Sequence, residues 1–172
     1  IFTISLTLIS FSKIFAKDTP TIVISAGKTP QSLSTVGTNV TVISGATIRN
    51  SSENFLGNII DGSTSSTNMF QQGGAGTNMG IQLRGLEKRY STVYVNGVKM
   101  SDPSTPDNSF YFQNIMKDSI DRVEILKGNQ SSLYGANAIG GTIHIFTKKG
   151  KEGHRSNVSV EGGSNNTKSA YY

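Results

Sequence analysis

The sequence contains no cysteine and no tryptophan, only four prolines and two histidines, and its aromatic residues make up 8% of 172 positions. Without cysteine there are no disulfides and no thiolate metal sites, which fits either a reducing compartment or an envelope protein stabilised by other means. His144 stands alone in an apolar run and His154 lies in a charged stretch. Neither has another ligand type at metal spacing, so both read as structural and no metal is expected. Asp102 and Asp107, around Pro103 and Pro106, lack the oxygen-dense pattern of an EF-hand. The glycine-rich stretches 73–76 and 135–141 lack the Gly-Lys-Ser/Thr ending of a phosphate-binding loop and read as tight turns. No Ser-His-Asp or paired-carboxylate arrangement emerges, so neither an enzyme nor a bound cofactor is expected. The net charge is +5, but lysines and arginines are interleaved with acids except at Lys148, Lys149 and Lys151. No basic stripe carries aromatics, which argues against nucleic acid.

What is present is 19 glycines among many Ser, Thr and Asn residues, a composition that favours short strands joined by frequent turns. The length suits one domain with tails. Residues 1–16 (IFTISLTLISFSKIFA) are apolar or hydroxylic apart from Lys13 and end in a small residue before Lys17-Asp18. That is the shape of a signal peptide, too short and too hydroxylic for a membrane-spanning helix. With no initiator Met or basic leader before it, the sequence is expected to start inside a longer reading frame.

Residues 17–38 read as a polar, flexible arm with one strand-capable island, Thr21 to Ala26, directly after Pro20. A compact unit is expected over 39–150. Within it, Asn39 to Ser44 is a β-branched strand, and Ser52 to Ile60 predicts a helix capped by Ser51 or Ser52, with Phe55, Leu56, Ile59 and Ile60 on one face. Alternation at Ile81 to Arg84 predicts a half-buried strand. Asn96-Gly97 predicts a tight turn between strands Tyr90–Val95 and Val98–Met100. Residues 101–109 form an irregular loop, Ile120 to Leu126 and Thr142 to Thr147 are further strands, and Ser131 to Tyr134 suits a single helical turn. From 151 to 172 a charged linker gives way to alternating segments ending in Tyr171-Tyr172, the weak signature of the first strands of a membrane β-barrel that continues beyond this sequence.

Four segments then carry a resemblance: Ile81-Gln82-Leu83-Arg84-Gly85, Thr92 to Lys99 (TVYVNGVK), Ile120 to Gly128 (IDRVEILKG) and Leu133 to Ile143 (LYGANAIGGTI). In this order and spacing they resemble the signature segments of TonB-dependent outer-membrane receptor plugs. The Asp-Pro loop after the Asn-Gly turn and the Tyr-Gly-x-x-Ala-Ile-Gly-Gly run are most similar to vitamin B12 (cobalamin) transporters. One departure is Gly128-Asn129, where the family usually has Gly-Pro.

The resemblance implies an α+β plug, a short mixed β-sheet with short helices, seated in the lumen of its own β-barrel in the Gram-negative outer membrane. It implies uptake of a scarce ligand, a corrinoid or a metal chelate, energised by TonB with its inner-membrane complex. An iron-siderophore or haem receptor shares the same segments, and a free-standing periplasmic binding domain would need no barrel. By the same resemblance Pro20, Thr21, Ile22, Val23, Ile24, Ser25 and Ala26 correspond to the TonB box, an extended segment suited to adding as a strand to a sheet edge. Arg84, Arg122 and Glu124 correspond to plug positions that meet the barrel wall. The outward loops, with Asn68, Gln71, Gln72, Asp102, Ser104, Asp107, Asn108 and Tyr111, correspond to the ligand side.

Overall fold

The computed structural model of the chain describes residues 21–74, 76–150, 158–164, 166 and 168–171. The expected signal peptide, Pro20 and most of the charged linker lie outside the described residues. In chain order the strands are β1 (Ile22–Val23), β2 (Gln31–Ser32), β3 (Asn39–Ile43), β4 (Thr67–Gln71), β5 (Met79–Leu83), β6 (Ser91–Val95), β7 (Val98–Met100), β8 (Ile120–Lys127), β9 (Gly141–Thr147), β10 (Ser159–Gly162) and β11 (Lys168–Tyr171). The helices are α1 (Gly45–Asn50), α2 (Leu56–Ser63) and the single turn α3 (Ser131–Tyr134).

Five strands form one mixed sheet in the order β3-β8-β9-β6-β7, antiparallel except for the parallel β6–β9 pair. The mixed α+β architecture expected from the sequence is the one observed. Because side chains alternate across a strand, register sorts the sheet into two faces. Ile43, Val123, Ile125, Ile143, Ile145 and Val93 point to one face, where Ile48 of α1, Leu56, Ile59 and Ile60 of α2, Met79, Ile81 and Leu83 of β5, and Phe112 complete the main core. The other face carries Val40, Leu126 and Tyr94 against Ala26 of the arm and Tyr134 and Ala138 of the α3 segment. Both faces are therefore covered. Val123, Glu124, Ile125 and Leu126 form an unbroken buried run, as strands enclosed on both sides do.

Two turns fix the chain path. Asn96 (φ 49°) and Gly97 (φ 86°) both take left-handed conformations, as the predicted two-residue hairpin between β6 and β7 requires. Gly141 (φ 143°) opens β9 where an added Cβ would stand 2.2 Å from the Leu126 carbonyl oxygen, so only glycine lets β9 approach β8 there. At the Gly128-Asn129 departure, Gly128 has φ 102° and the Asn129 Oδ1 accepts from Ser131 N at 3.0 Å. A side-chain turn thus leads into α3 without proline's fixed φ.

Three expectations change. The expected helix over 52–60 begins only at Leu56, after Phe55, which stays extended in an isolated bridge to Met116 and makes no side-chain cap. Ser51 instead accepts from Glu53 N within its own turn, at 3.1 Å. Ser44, expected to end a strand, caps the unanticipated α1 by accepting from Thr47 N at 3.2 Å. The short segment GATIRN has little helix propensity of its own; its buried Ile48 ties it to the core. Finally, the segment expected to be a flexible arm is folded back: β1 pairs antiparallel with β2, and Val23 is fully buried. At the other end β10 and β11 form an antiparallel hairpin with Val158 and Val160 exposed, and no closed barrel forms among the described residues.

Candidate functional site

Two constellations gather the residues singled out by sequence. The first closes the second face of the sheet. Register places Tyr94, His144 and Glu124 in one row across β6, β9 and β8. The His144 ring stacks on Tyr94 (4.8 Å between centroids, 6° between planes) and meets Tyr134 edge-on at 4.9 Å. Onto this row docks the arm. One oxygen of Glu124 accepts from Ile24 N (3.0 Å), Ser25 N (2.9 Å) and Ser25 Oγ (2.7 Å), while its other oxygen accepts from Arg122 Nε (2.8 Å). The Tyr134 hydroxyl donates to the Ser25 carbonyl, and the Lys28 ammonium lies 5.3 Å from the Tyr134 ring centre. The Arg122 guanidinium also rests 3.9 Å from the centre of the Phe146 ring.

A fully enclosed carboxylate is costly unless all its lone pairs are used. Here burial by itself pushes the Glu124 carboxyl up, but the Ser25 hydroxyl and amide, Arg122 and the Ile24 amide together hold it below the usual carboxylate range. The group is a charged clasp on the arm. Burial lowers His144 to about 4, only partly opposed by the charge of Glu124, so the imidazole is neutral near pH 7. Its Nε2 lies 3.0 Å from Thr142 Oγ1.

The sequence placed Arg122 and Glu124 together facing a wall; the structure turns the Glu124 side chain inward. It has no exposed surface, and its four hydrogen bonds come from three residues of the chain, Ile24, Ser25 and Arg122. Arg122 retains 25% side-chain exposure and pairs with Asp121 at 3.5 Å as well. Arg84 is exposed just after β5, in a left-handed conformation (φ 56°), on the separate β4–β5 hairpin, with its guanidinium beside Gly128 and outside the clasp. Within the island, Thr21 and Ile22 are exposed, Ile24 and Ala26 are half-buried, and Val23 and Ser25 are buried.

The second constellation joins the two loops. Asn68 Nδ2 donates to Gln82 Oε1 across β4–β5 at 3.2 Å, Gln71 donates to the Gly74 carbonyl at 2.8 Å, and Gln72 is exposed. In the 101–109 loop Asp102 accepts from Ser104 N (2.9 Å) and Oγ (2.6 Å), and Asp107 accepts from Ser109 N (3.3 Å) and Oγ (2.6 Å). The Ser104 hydroxyl bond holds the Asp102 carboxyl below its ordinary value. Asn108, at φ 50°, makes the corner between these turns and the half-buried Tyr111. The loop is thus ordered by its own side chains. What ties it to the sheet is Lys88, which sequence reasoning passed over: its ammonium donates to Tyr111 Oη (2.7 Å) and lies 3.0 Å from Asp107 Oδ2. Partial burial would push Lys88 down, and the bonds to Tyr111 and Asp107 more than offset it, so its pKa is raised.

Glu124 and His144 left a signal in the sequence. A Glu and a His each sit in the middle of an apolar β-branched run, which requires an enclosed partner. Lys88 left none. Among the described residues no group of three or more His, Cys, Asp or Glu is placed to hold a metal, and no helix is long and apolar enough to cross a membrane.

Residues 32–142 match the family described as TonB-dependent Receptor Plug Domain. The chain is 29% identical over 152 residues to the vitamin B12 transporter BtuB of Vibrio vulnificus (strain CMCP6), covering 88% of this chain and 24% of that protein. It is 33% identical over 92 residues to the iron-regulated outer membrane virulence protein of Vibrio cholerae (strain O395), covering 51% of this chain and 14% of that one. Among solved structures, the siderophore receptor PiuA of Acinetobacter baumannii is similar with a TM-score of 0.61 and 25% identity, covering 81% of this chain and 18% of that chain. FpvAI, in its complex with pyocin S2, shares the fold with a TM-score of 0.70 at 18% identity, over 88% of this chain and 19% of that chain. The chain therefore spans about a quarter or less of the length of these relatives.

Proposed function

We propose, from the premise that the chain belongs to the TonB-dependent receptor plug domain family, that it is the plug of an outer-membrane receptor that takes up vitamin B12 or another corrinoid under the action of TonB. The plug occupies the barrel lumen, the arm faces the periplasm, and the loops around 68–80 and 101–111 face the ligand. The observation that carries this reading is the match over residues 32–142, which takes in β3, β6, β7 and β8 of the five-stranded sheet, the start of β9 and both loops. The corrinoid assignment is supported by the likeness to a vitamin B12 transporter over 88% of the chain. A second reading, uptake of a ferric siderophore, is favoured by the similarity to PiuA and to the iron-regulated protein.

The arm supplies the coupling element. Thr21 to Ile24 is a β-branched run, extended at Ile22–Val23 before the chain bends at Ile24 and turns at Ser25, and a partner strand reads an extended segment through its main-chain donors and acceptors. In the docked arm the Ile24 and Ser25 amides are already committed to Glu124. Full strand pairing with TonB therefore requires the Glu124 clasp to open, and a pull on the arm is delivered directly to β8, a central strand of the sheet.

Growth rescue tests the ligand. The whole gene, placed in a strain lacking its own corrinoid and siderophore receptors, should restore growth on limiting cobalamin but not on a ferric siderophore. Rescue by the siderophore alone selects the second reading, and rescue that persists without TonB removes the coupling.

A further inference from the structure

Between the β4–β5 hairpin and the 101–111 loop lies a hollow of about 210 Å³ lined by Phe70, Gly80, Gln82, Glu87, Lys88 and Asp107. Lys88 is the cation of this hollow, and three observations show how it is held. Its stem crosses β5 at Gly80, where an added Cβ would stand 3.2 Å from Lys88 Cδ, so glycine makes room for it and the backbone sets its course. Its ammonium sits 4.6 Å from the centre of the Tyr111 ring and donates to the Tyr111 hydroxyl, which keeps the charge in place without any carboxylate. Its remaining partner, Asp107, is already satisfied from within its own turn by the Ser109 amide and hydroxyl.

That last relationship is unusual for an ion pair meant only to brace a loop. In a mutually dependent pair, removing one charge strands the other. Here each partner keeps other hydrogen bonds when the two separate. Lys88 retains Tyr111, and Asp107 retains Ser109. Both side chains also keep solvent contact, with 31% and 26% exposure, so an incoming group can reach them. The nearby acid Glu87 is engaged by Arg89 at 2.7 Å, which reduces its repulsion of an anion. Phe70, 53% exposed, offers an apolar surface beside the charge.

We propose that Lys88 is an anion-binding residue of the ligand site, with Asp107 as a resident counter-charge that an anionic oxygen group of the ligand displaces. The chemical class is a ligand carrying a carboxylate, a phosphate ester or a phenolate next to an apolar body that rests on Phe70. This deepens the receptor reading and rests on its assignment of the 101–111 loop to the ligand side.

The test uses the purified 172-residue chain and two probes, inorganic phosphate and citrate, titrated at constant ionic strength against chloride while backbone amide signals are followed by NMR. Saturable shifts should appear at Gly80, Lys88 and Asp107 to Tyr111. They should vanish in Lys88→Gln and persist in Lys88→Arg, with unchanged signals in β8 and β9 reporting that each variant is folded. Asp107→Asn removes the resident competitor and should tighten binding about two- to fivefold, the factor set by a partly exposed ion pair. Preference for phosphate or for citrate separates a phosphate ester from a carboxylate. Shifts no different from those of chloride in both the parent and Asp107→Asn, or an Asp107→Asn chain that binds no tighter, overturn the proposal. In that event TonB-dependent growth rescue is unaffected, whereas failure of the receptor reading abolishes rescue whatever the anion titration shows.

Discussion

Ser25 and Glu124, 99 positions apart, meet in a buried contact in which the serine gives both its hydroxyl (2.7 Å) and its backbone amide (2.9 Å) to one carboxylate oxygen. The contact joins the segment read as the TonB-binding element to a central strand of the sheet, beside the bond from the Tyr134 hydroxyl to the Ser25 carbonyl.

Glu124→Gln should loosen the arm without unfolding the sheet. The substitution removes the charge from four hydrogen bonds and forces one amide hydrogen toward donors, at a cost of about 2 kcal/mol. Hydrogen exchange should show the Ile24 and Ser25 amides losing protection while those of β9 keep theirs. Equal protection in parent and variant would mean that the carboxylate does not hold the arm.

Opposite substitutions in the arm separate docking from partner binding. Ser25→Ala deletes one hydrogen bond to the buried charge, worth about 1.5 kcal/mol, and should raise the undocked fraction roughly tenfold and the capture of TonB with it. Val23→Pro removes a backbone donor and fixes φ, and should abolish capture although it also undocks the arm. Pull-down by immobilised TonB reads both; equal capture by the proline variant and the parent argues against strand pairing.

Acid should destabilise the plug in two steps. His144 has a folded-state pKa lowered from 6.5 to about 4, so the unfolded chain binds more protons between those values and stability falls as pH drops through that window. The full shift corresponds to about 3 kcal/mol. Glu124 is also lowered from its ordinary 4.5, so its contribution is intact above that value and is lost as pH falls further. The groups around the imidazole are Tyr94, Tyr134, Thr142 and Glu124. Urea midpoints between pH 7 and 4 should therefore slope downward in the parent and flatten in His144→Phe, which keeps the stacking. A slope that is the same in both chains would show the imidazole is not the titrating group.

Glycine tolerance should differ sharply by position. Gly141→Ala drives a Cβ into the Leu126 carbonyl and strains a left-handed φ, and should cost about 3 kcal/mol in denaturant unfolding. Gly37→Ala meets no atom within 4 Å and no unusual φ, and should change stability by less than about 1 kcal/mol, in the stabilising direction. Comparable losses at both sites would contradict the close approach of β9 to β8.

How legible each feature was depends on the range of the interaction behind it. The Asn96-Gly97 hairpin, the strands expected at 39–44, 120–126 and 142–147 and the turn of helix at Ser131–Tyr134 are written in local patterns, and each is found there, the strands differing by one residue at an end. The start of α2 was misjudged because Ser51 and Ser52 carry the residue type of a cap, while Phe55 is held extended by Met116, 61 positions on. The arm read as flexible because its composition is polar, yet Val23 and Ser25 are buried by a sheet face that composition does not reveal.

The amino-acid sequence by itself determined the alternation, the turns and the ordered family segments, since side-chain periodicity and glycine's φ freedom act between neighbours. It also set Glu124 and His144 inside apolar strand segments. Only the tertiary structure decided who their partners are. Register aligned Tyr94, His144 and Glu124 into one row, brought Ser25 onto it, and laid Lys88 between Tyr111 and Asp107. Contacts between residues many positions apart depend on how the strands are ordered and stacked in space, and that order is a property of the whole packed sheet, not of any one segment.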